Sequence, residues 1–153
     1  MKSQISDYST FFREFRETFD TTGALAPSGR GLAKALCLSV RNHTHPVRIL
    51  EVGAGTGAVT QELVRHVAPG DRLDIVELND RFVDVLHRRF ENELRFRQVV
   101  GQTEIFHTAI QDLQVDEPYD HIVCGVPFNN FSTELVKSIF RRMLELLRPG
   151  GTL

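Results

Sequence analysis

Residues 49–60 constrain the fold of this chain more than any other segment. A short apolar run ends at Glu51, and three glycines then follow at alternate positions, Gly53, Gly55 and Gly57, before a helical pattern begins. Glycine is favoured there because the backbone must adopt conformations closed to other residues and let a ligand approach without a Cβ in the way. The segment predicts a strand, a tight turn and a helix N-terminus. It puts Glu51 at the carboxyl end of the strand, where open α/β sheets bind their ligands.

The rest of the chain alternates between strand and helix patterns. Strands are predicted at residues 47–52, 73–77, 103–108 and 119–125. Helices are predicted at residues 31–40 (with Ser28 as N-cap), 56–66, 80–90 (with Asn79 or Asp80 as N-cap) and 133–147 (with Ser132 as N-cap). This alternation predicts a Rossmann-like, doubly wound α/β fold with a mostly parallel sheet. Residues 148–151 are predicted to end the last helix, and residues 152–153 to open a fifth strand. We therefore expect four strands plus a stub, in a fragment of a longer protein.

Two regions are predicted along the chain: an N-terminal helical segment at residues 1–45 and the sheet domain at residues 46–153. The hydrophobic fraction of 41% and the length of 153 residues suit one globular domain.

A net charge of -2 gives no overall basic character that would indicate nucleic-acid binding. Cys37 and Cys124 are predicted to be buried thiols, and no clustered ligand set predicts a metal. Without a cleavable leader or a bilayer-spanning apolar run, we expect a cytoplasmic protein, able to lie on the inner face of the cell membrane.

The acid followed by G-x-G-x-G resembles motif I of the class I S-adenosylmethionine-dependent methyltransferases. This resemblance implies S-adenosyl-L-methionine as the cofactor, and Glu77 matches the acid that binds its ribose hydroxyls. The donor-binding residues implied are Glu51, Gly53, Ala54, Gly55, Thr56, Gly57, Glu77, Leu78, Ile110, Gly125 and Ser28. The family's usual adenine-binding acid is replaced here by Ala109.

Two alternatives stay open at the donor site. Gly53, Gly55 and Ala58 also fit a dinucleotide-binding pattern, although Glu51 directly before the glycines would repel a pyrophosphate and favour the donor's positively charged amino-acid end. The alternative for Glu77 is that it only caps the helix that follows.

Residues 125–131 follow the fourth strand, where a methyl acceptor is expected. Amino-methylating DNA and RNA enzymes carry Asn or Asp there, followed by proline and an aromatic residue. This chain keeps Pro127 and Phe128 but has Gly125 in place of the amide or carboxylate. The Gly-hydrophobic-Pro pattern, together with residues 23–28, resembles the bacterial phospholipid N-methyltransferases, which are related to the rRNA adenine dimethylases. The resemblance implies phosphatidylethanolamine or a similar aminophospholipid as acceptor, bound by Tyr8, Val126, Pro127 and Phe128. The alternative is that Pro127 and Phe128 form only a packed turn.

Residues 7–19 are predicted to form an amphipathic helix with an aromatic face. That face carries Tyr8, Phe11, Phe12, Phe15 and Phe19. It could enter the lipid interface or pack as a lid over the donor, and the sequence favours neither.

Other functions stay open for the whole chain. One is an rRNA adenine-N6 (di)methyltransferase, which would make RNA the partner, and another is a donor-binding fragment without turnover. No residue is assigned as catalytic.

Overall fold

The computed structural model describes residues 27–153, so the predicted helix at residues 7–19, with Tyr8, lies outside the described residues. The helices and strands are α1 (Pro27–Leu36), β1 (Arg48–Val52), α2 (Thr60–Leu63), β2 (Arg72–Glu77), α3 (Asp80–Asn92), α4 (Leu94–Arg97), β3 (Thr103–His107), β4 (Tyr119–Cys124), α5 (Thr133–Leu146) and β5 (Leu147–Thr152). Short 3-10 turns lie at Leu38–Val40, Val100–Gln102, Ile110–Asp112 and Phe128–Asn130.

The five strands form one parallel sheet in the order β3-β2-β1-β4-β5. At the centre, Leu50 of β1 lies opposite Asp74 of β2 on one side and Ile122 of β4 on the other. From β1 the chain adds β2 and β3 on one side of the sheet and then β4 and β5 on the other, so the strand order reverses between β1 and β4. In open parallel sheets such a reversal leaves a crevice at the carboxyl ends of the strands, where ligands bind. The fold class predicted from the sequence is confirmed.

The core occupies both faces of the sheet because successive side chains of a strand point to opposite faces. Ile49 packs in one cluster with Leu86 of α3, Phe96 of α4 and Cys37, which directly follows α1. Leu50 and Val52 pack on the other face against α5, through Leu135, Ile139, Met143 and Leu146. Glu51 therefore lies on the face that carries α1 to α4. Because Cys37 and Val40 belong to that core, residues 27–40 pack onto the sheet, and the predicted division at residue 45 stays a prediction.

The fifth strand begins earlier than predicted. Residues 148–151 were expected to end the last helix, but they lie within β5, which pairs with β4. Tyr119 pairs with Leu147 and His121 with Thr152, so β5 bulges away between them, where Gly150 has φ +80°. A proline and a positive-φ glycine are tolerated there because an edge strand leaves some backbone N–H groups unpaired.

The helices that flank β1 also differ from the prediction. Ser28 is not the N-cap of α1, because it already lies within the helix. Leu32 and Ala35 of α1 are exposed, and Ala33 is buried. The helix predicted at residues 56–66 is α-helical only at Thr60–Leu63, because the glycine loop keeps the preceding residues in turns. By contrast, the predicted cap Ser132 is confirmed, and Asn79 is the one of the two predicted alternatives that caps α3.

A buried polar cluster lies near the amino ends of β1, β2 and β4. The carboxylate of Asp74 is 1% exposed and accepts hydrogen bonds from the Tyr119 hydroxyl (2.8 Å), Arg72 Nε (2.9 Å) and Arg48 Nη2 (3.3 Å). Burial and the neighbouring Asp74 raise the pKa of Tyr119, so its hydroxyl stays a donor. The cluster joins the three strands at the end of the sheet away from the glycine loop.

We expect Tyr119→Phe to lower the free energy of unfolding by about 1 kcal/mol, since one hydrogen bond is lost while Asp74 keeps its two arginines. Urea denaturation measures the change. Donor affinity should not change, because the hydroxyl lies at the opposite end of the sheet. An unaltered denaturation midpoint would show that this hydrogen bond adds nothing to stability.

Candidate functional site

The glycine loop leaves β1 and turns sharply over the end of the sheet. Gly53, Gly55 and Gly57 have φ values of +71°, +57° and +87°, which L side chains rarely adopt. A Cβ at Gly53 would also lie 2.5 Å from Cγ2 of Val126. A Cβ at Gly55 would meet nothing within 4 Å, so open space lies above the loop. The loop is therefore tightly packed against β4 at Gly53 and open at Gly55.

A crevice lies over this loop and across the ends of β1, β2 and β4. Its larger part is a cavity of about 130 Å3, lined by Gly53, Ala54, Gly55, Thr56, Ala58, Val59, Glu77, Phe82, Gly125, Val126 and Pro127. A smaller space of about 30 Å3 adjoins it, lined by Val52, Gly53, Val76, Glu77, Leu78, Thr108, Ala109, Ile110, Val126 and Ile139. Gly53, Glu77 and Val126 line both spaces, so the two form one elongated crevice at the point where the strand order reverses.

Glu77 lies at the middle of this crevice. Its side chain is 1% exposed, and its two oxygens accept hydrogen bonds from the backbone N–H groups of Gly55 (2.7 Å) and Asn79 (2.8 Å). Burial raises the pKa of the carboxyl, and these hydrogen bonds oppose the rise. Each carboxylate oxygen can accept a second hydrogen bond. The geometry therefore fits a carboxylate that is held in place by backbone and can still receive two ligand hydroxyls.

Glu51 lies beneath the loop and is completely buried. One oxygen accepts a hydrogen bond from the Thr60 hydroxyl (2.7 Å), and the other has no partner among residues 27–153. Burial raises the pKa of Glu51 to about 7; the Thr60 hydrogen bond opposes the rise, and the charge of Glu77 adds to it. A buried oxygen without a partner is costly in a protein interior. Glu51 lines neither part of the crevice, so its predicted role at the donor's amino-acid end stays a prediction.

The sequence analysis missed Arg89, which holds the glycine loop from α3. Its Nη1 donates to the carbonyls of Thr56 (2.9 Å) and Gly57 (2.8 Å). Glu93 accepts two further hydrogen bonds from the guanidinium, which lies 4.4 Å from the ring centroid of Phe96. The i,i+4 spacing of Arg89 and Glu93 was visible in the sequence, but it indicates only a solvent-exposed ion pair.

The remaining predicted site residues fall into three groups. Those that line the crevice are Ala54, Thr56, Leu78, Ile110, Gly125, Val126 and Pro127. Two predicted residues lie elsewhere: Gly57 packs against Arg89, and the ring of Phe128 contacts those of Phe131 and Phe140. Tyr8 lies outside the described residues, as does the side chain of Ser28.

A comparison with known protein families decides between the methyl donor and the dinucleotide. Residues 49–151 match the family described as "Methyltransferase domain". The chain belongs to this methyltransferase family. The match confirms the resemblance drawn from Glu51 and the glycines, and with it the class I S-adenosylmethionine-dependent methyltransferase and its cofactor. The roles of individual site residues stay predictions.

Relatives of this methyltransferase differ in how much of the chain they match. An ornithine lipid N-methyltransferase of Singulisphaera acidiphila is 28% identical over 148 residues, which are 97% of this chain and 76% of that protein. The ribosomal RNA small subunit methyltransferase A of Dehalococcoides mccartyi is 30% identical over 103 residues, 66% of this chain and 32% of that protein. The solved DhpI-SAM-HEP complex is 15% identical, with a TM-score of 0.63, and covers 96% of this chain and 62% of its own. The chain thus spans about a third of the rRNA relative.

The described residues contain neither a metal-binding cluster nor a membrane-spanning helix. Between residues 27 and 153, no three His, Cys, Asp or Glu side chains cluster closely enough to hold a metal ion. In the same part of the chain, every helix is too short or too polar to cross a bilayer.

The raised pKa of Glu51 predicts how stability changes with pH. Its pKa in the folded state is about 7 against an ordinary 4.5, so the folded state holds this proton more tightly than the unfolded state does. The resulting stabilisation is complete below pH 4.5 and is lost as the pH rises through 7. As the pH rises over this range, the free energy of unfolding of the wild type should therefore fall by a few kcal/mol relative to that of Glu51→Gln. Urea denaturation at several pH values measures the difference. The same dependence of unfolding free energy on pH in both proteins would contradict the prediction.

The contacts of Arg89 predict a role in donor binding. Lysine keeps the charge but cannot donate to both loop carbonyls and to Glu93, so Arg89→Lys should weaken donor affinity about tenfold. Calorimetry with S-adenosylmethionine measures this affinity. Arg88→Lys on the exposed side of α3 is the matched control and should bind normally. Lower stability of Arg89→Lys with unchanged donor affinity would restrict Arg89 to a structural role.

Proposed function

We propose that this methyltransferase transfers a methyl group from S-adenosylmethionine to the amine of an aminolipid, such as phosphatidylethanolamine or an ornithine lipid. The observation that carries the proposal is Gly125 at the acceptor side of the crevice. Two further lines support it: the extent of the similarity to an ornithine lipid N-methyltransferase, and the largely apolar lining of the crevice.

Gly125 disfavours a nucleic-acid base as the acceptor. A Cβ at this position would lie 2.9 Å from the carbonyl oxygen of Gly53, a contact that ordinary side chains do not make. The Asn or Asp that amino-methylating nucleic-acid enzymes carry here could not be accommodated unless the glycine loop moved. The acceptor amine would instead meet backbone groups and the side chains of Val126 and Pro127, which recognise no base edge.

The extent of the similarity also favours a lipid. The ornithine lipid enzyme matches 97% of this chain, whereas the rRNA methyltransferase matches 66%. The longer match takes in nearly all of the predicted helical segment at residues 1–45. We propose that this segment brings the acceptor to the crevice, either by entering the lipid interface or by packing as a lid over the donor.

The crevice suits an amine that must lose a proton before it reacts. For an amine with a pKa of about 10, deprotonation at pH 7 costs roughly 4 kcal/mol. Among the described residues that line the crevice, Glu77 is the one ionisable side chain, and its oxygens already accept backbone hydrogen bonds. The apolar lining would desolvate the ammonium group and lower its pKa, which favours the neutral nucleophile.

The chain's contribution to methyl transfer would be binding, orientation and exclusion of water. S-adenosylmethionine, when bound, supplies a methyl group already activated on a sulfonium. We propose that Glu77 holds its ribose hydroxyls, that Glu51 and the glycine loop accommodate its amino-acid end, and that Leu78 and Ile110 flank its adenine. Holding two reactants in line can supply much of the rate enhancement of such a transfer.

An assay with radiolabelled donor tests the proposal. The 153-residue chain is incubated with vesicles that contain phosphatidylethanolamine or ornithine lipid, and we expect label in the lipid extract. Gly53→Ala should abolish the signal because its Cβ would collide with Val126, whereas Gly101→Ala, whose Cβ meets nothing within 4 Å, should retain it.

Two outcomes would reject the aminolipid acceptor. Label that enters rRNA but not lipid would assign the protein to the adenine methyltransferases. Donor binding by calorimetry without label in any lipid would identify a donor-binding chain without this turnover.

A further inference from the structure

The exposed surface of α1 and of the turn that follows it carries both leucines and cations. Leu32 and Leu38 are 61% and 62% exposed, although leucine is among the residues most often buried. Ala35 of α1 is exposed as well, and Leu38 lies in the 3-10 turn that follows the helix. Arg30 and Lys34, one turn apart and both exposed, border this apolar strip. We call Arg30, Leu32, Lys34, Ala35 and Leu38 the α1 face.

The charge around the α1 face has one sign. The sequence contains no Asp or Glu between residues 21 and 50, a stretch that carries four cations: Arg30, Lys34, Arg41 and Arg48. Within residues 27–153, no carboxylate forms an ion pair with Arg30 or Lys34. Among the described residues, no ion pair therefore offsets the positive charge of Arg30 and Lys34, in a chain whose net charge is negative.

A cleft between α1 and α2 extends this basic surface. It has a volume of about 170 Å3 and is lined by Gly29, Arg30, Ala33, Lys34, Ala58, Gln61, Glu62 and Arg65. Its single acid, Glu62, accepts hydrogen bonds from Arg41 (3.1 Å) and His66 (3.1 Å), and its second oxygen lies 4.0 Å from Nε of Arg65. Since one water occupies about 30 Å3 in the liquid, the cleft has room for a headgroup phosphate among Arg30, Lys34 and Arg65.

The α1 face lies close to the crevice. Ala58 lines both the basic cleft and the larger part of the crevice. The basic cleft and the crevice therefore adjoin each other at Ala58.

The outer side of α5 provides a comparison within the same molecule. Leu144 is 60% exposed and Phe140 38% exposed, and the cations Lys137 and Arg141 lie nearby on the helix. This helix also carries Glu134 and Glu145, so its charge is mixed. Of the two helices, only α1 carries exposed cations and no Asp or Glu of its own.

We propose that the α1 face docks on an anionic lipid bilayer, with Leu32 and Leu38 in the interface and Arg30, Lys34 and Arg65 at the headgroup phosphates. Exposed apolar side chains flanked by Lys and Arg favour the membrane interface, because the apolar groups leave water while the cations contact anionic headgroups. The inference rests on the proposed aminolipid acceptor, since it explains how the crevice reaches a substrate that stays in a bilayer.

Vesicle flotation with the 153-residue chain tests the proposal without methyl transfer. The probe is vesicles of equal parts phosphatidylcholine and phosphatidylglycerol, which lack an acceptor amine, so failure of the proposed reaction cannot affect the result. Binding to these vesicles should exceed binding to pure phosphatidylcholine and should fall at high salt. Neutralising Arg30→Gln and Lys34→Gln should weaken binding about fivefold per cation. Changing Leu32→Ser and Leu38→Ser should weaken it about tenfold.

Matched variants on α5 are the controls. Lys137→Gln with Arg141→Gln, and separately Leu144→Ser, should bind vesicles as the wild type does. Donor affinity by calorimetry should be unchanged in every variant, which verifies that each one folds. The proposal would be overturned if the wild type ignored the anionic vesicles, if the α1 and α5 variants behaved alike, or if the α1 variants lost affinity for RNA while keeping affinity for vesicles.

Discussion

The crevice of this methyltransferase depends on the close approach of two backbone segments, at the ends of β1 and β4. Gly53 and Gly125 meet there so tightly that a Cβ on either residue would overlap its neighbour, at 2.5 Å from Val126 or 2.9 Å from the Gly53 carbonyl. Because β1 and β4 flank the point where the strand order reverses, the helices that follow them lie on opposite faces of the sheet. The space between them stays open, and the glycine loop forms its floor.

Three side chains from different elements hold that loop. Glu51 bonds beneath it to Thr60, Glu77 accepts the Gly55 N–H from β2, and Arg89 donates from α3 to the Thr56 and Gly57 carbonyls. Two of the three are buried carboxyls with raised pKa values, which costs stability near neutral pH. Such a cost is expected where polar groups serve a ligand rather than the fold. The loop backbone is thus held by hydrogen bonds, while one oxygen of Glu51 has no partner among residues 27–153. Negative charge near the loop suits a cationic donor.

The proposed acceptor and the proposed docking surface rest on separate observations. Gly125 leaves no room for the side chain that would grip a nucleic-acid base, which concerns chemistry inside the crevice. The α1 face concerns how a substrate arrives, and its evidence is exposed leucine beside two cations that form no ion pair within residues 27–153. Both point to a lipid. They would place the bilayer beside the basic cleft, with Ala58 between that cleft and the donor loop.

The sequence by itself determined the strand–loop–helix order, the acids that end β1 and β2, and the caps Asn79 and Ser132, because these depend on local periodicity and on backbone preferences of single residues. It could not determine which side of α1 is buried, or that Pro149 and Gly150 lie within β5. It also could not reveal that Arg89 reaches the glycine loop or that Phe128 packs against α5 rather than lining the crevice. Those features depend on contacts between residues far apart in the chain, whose positions are set only when helices and strands pack together.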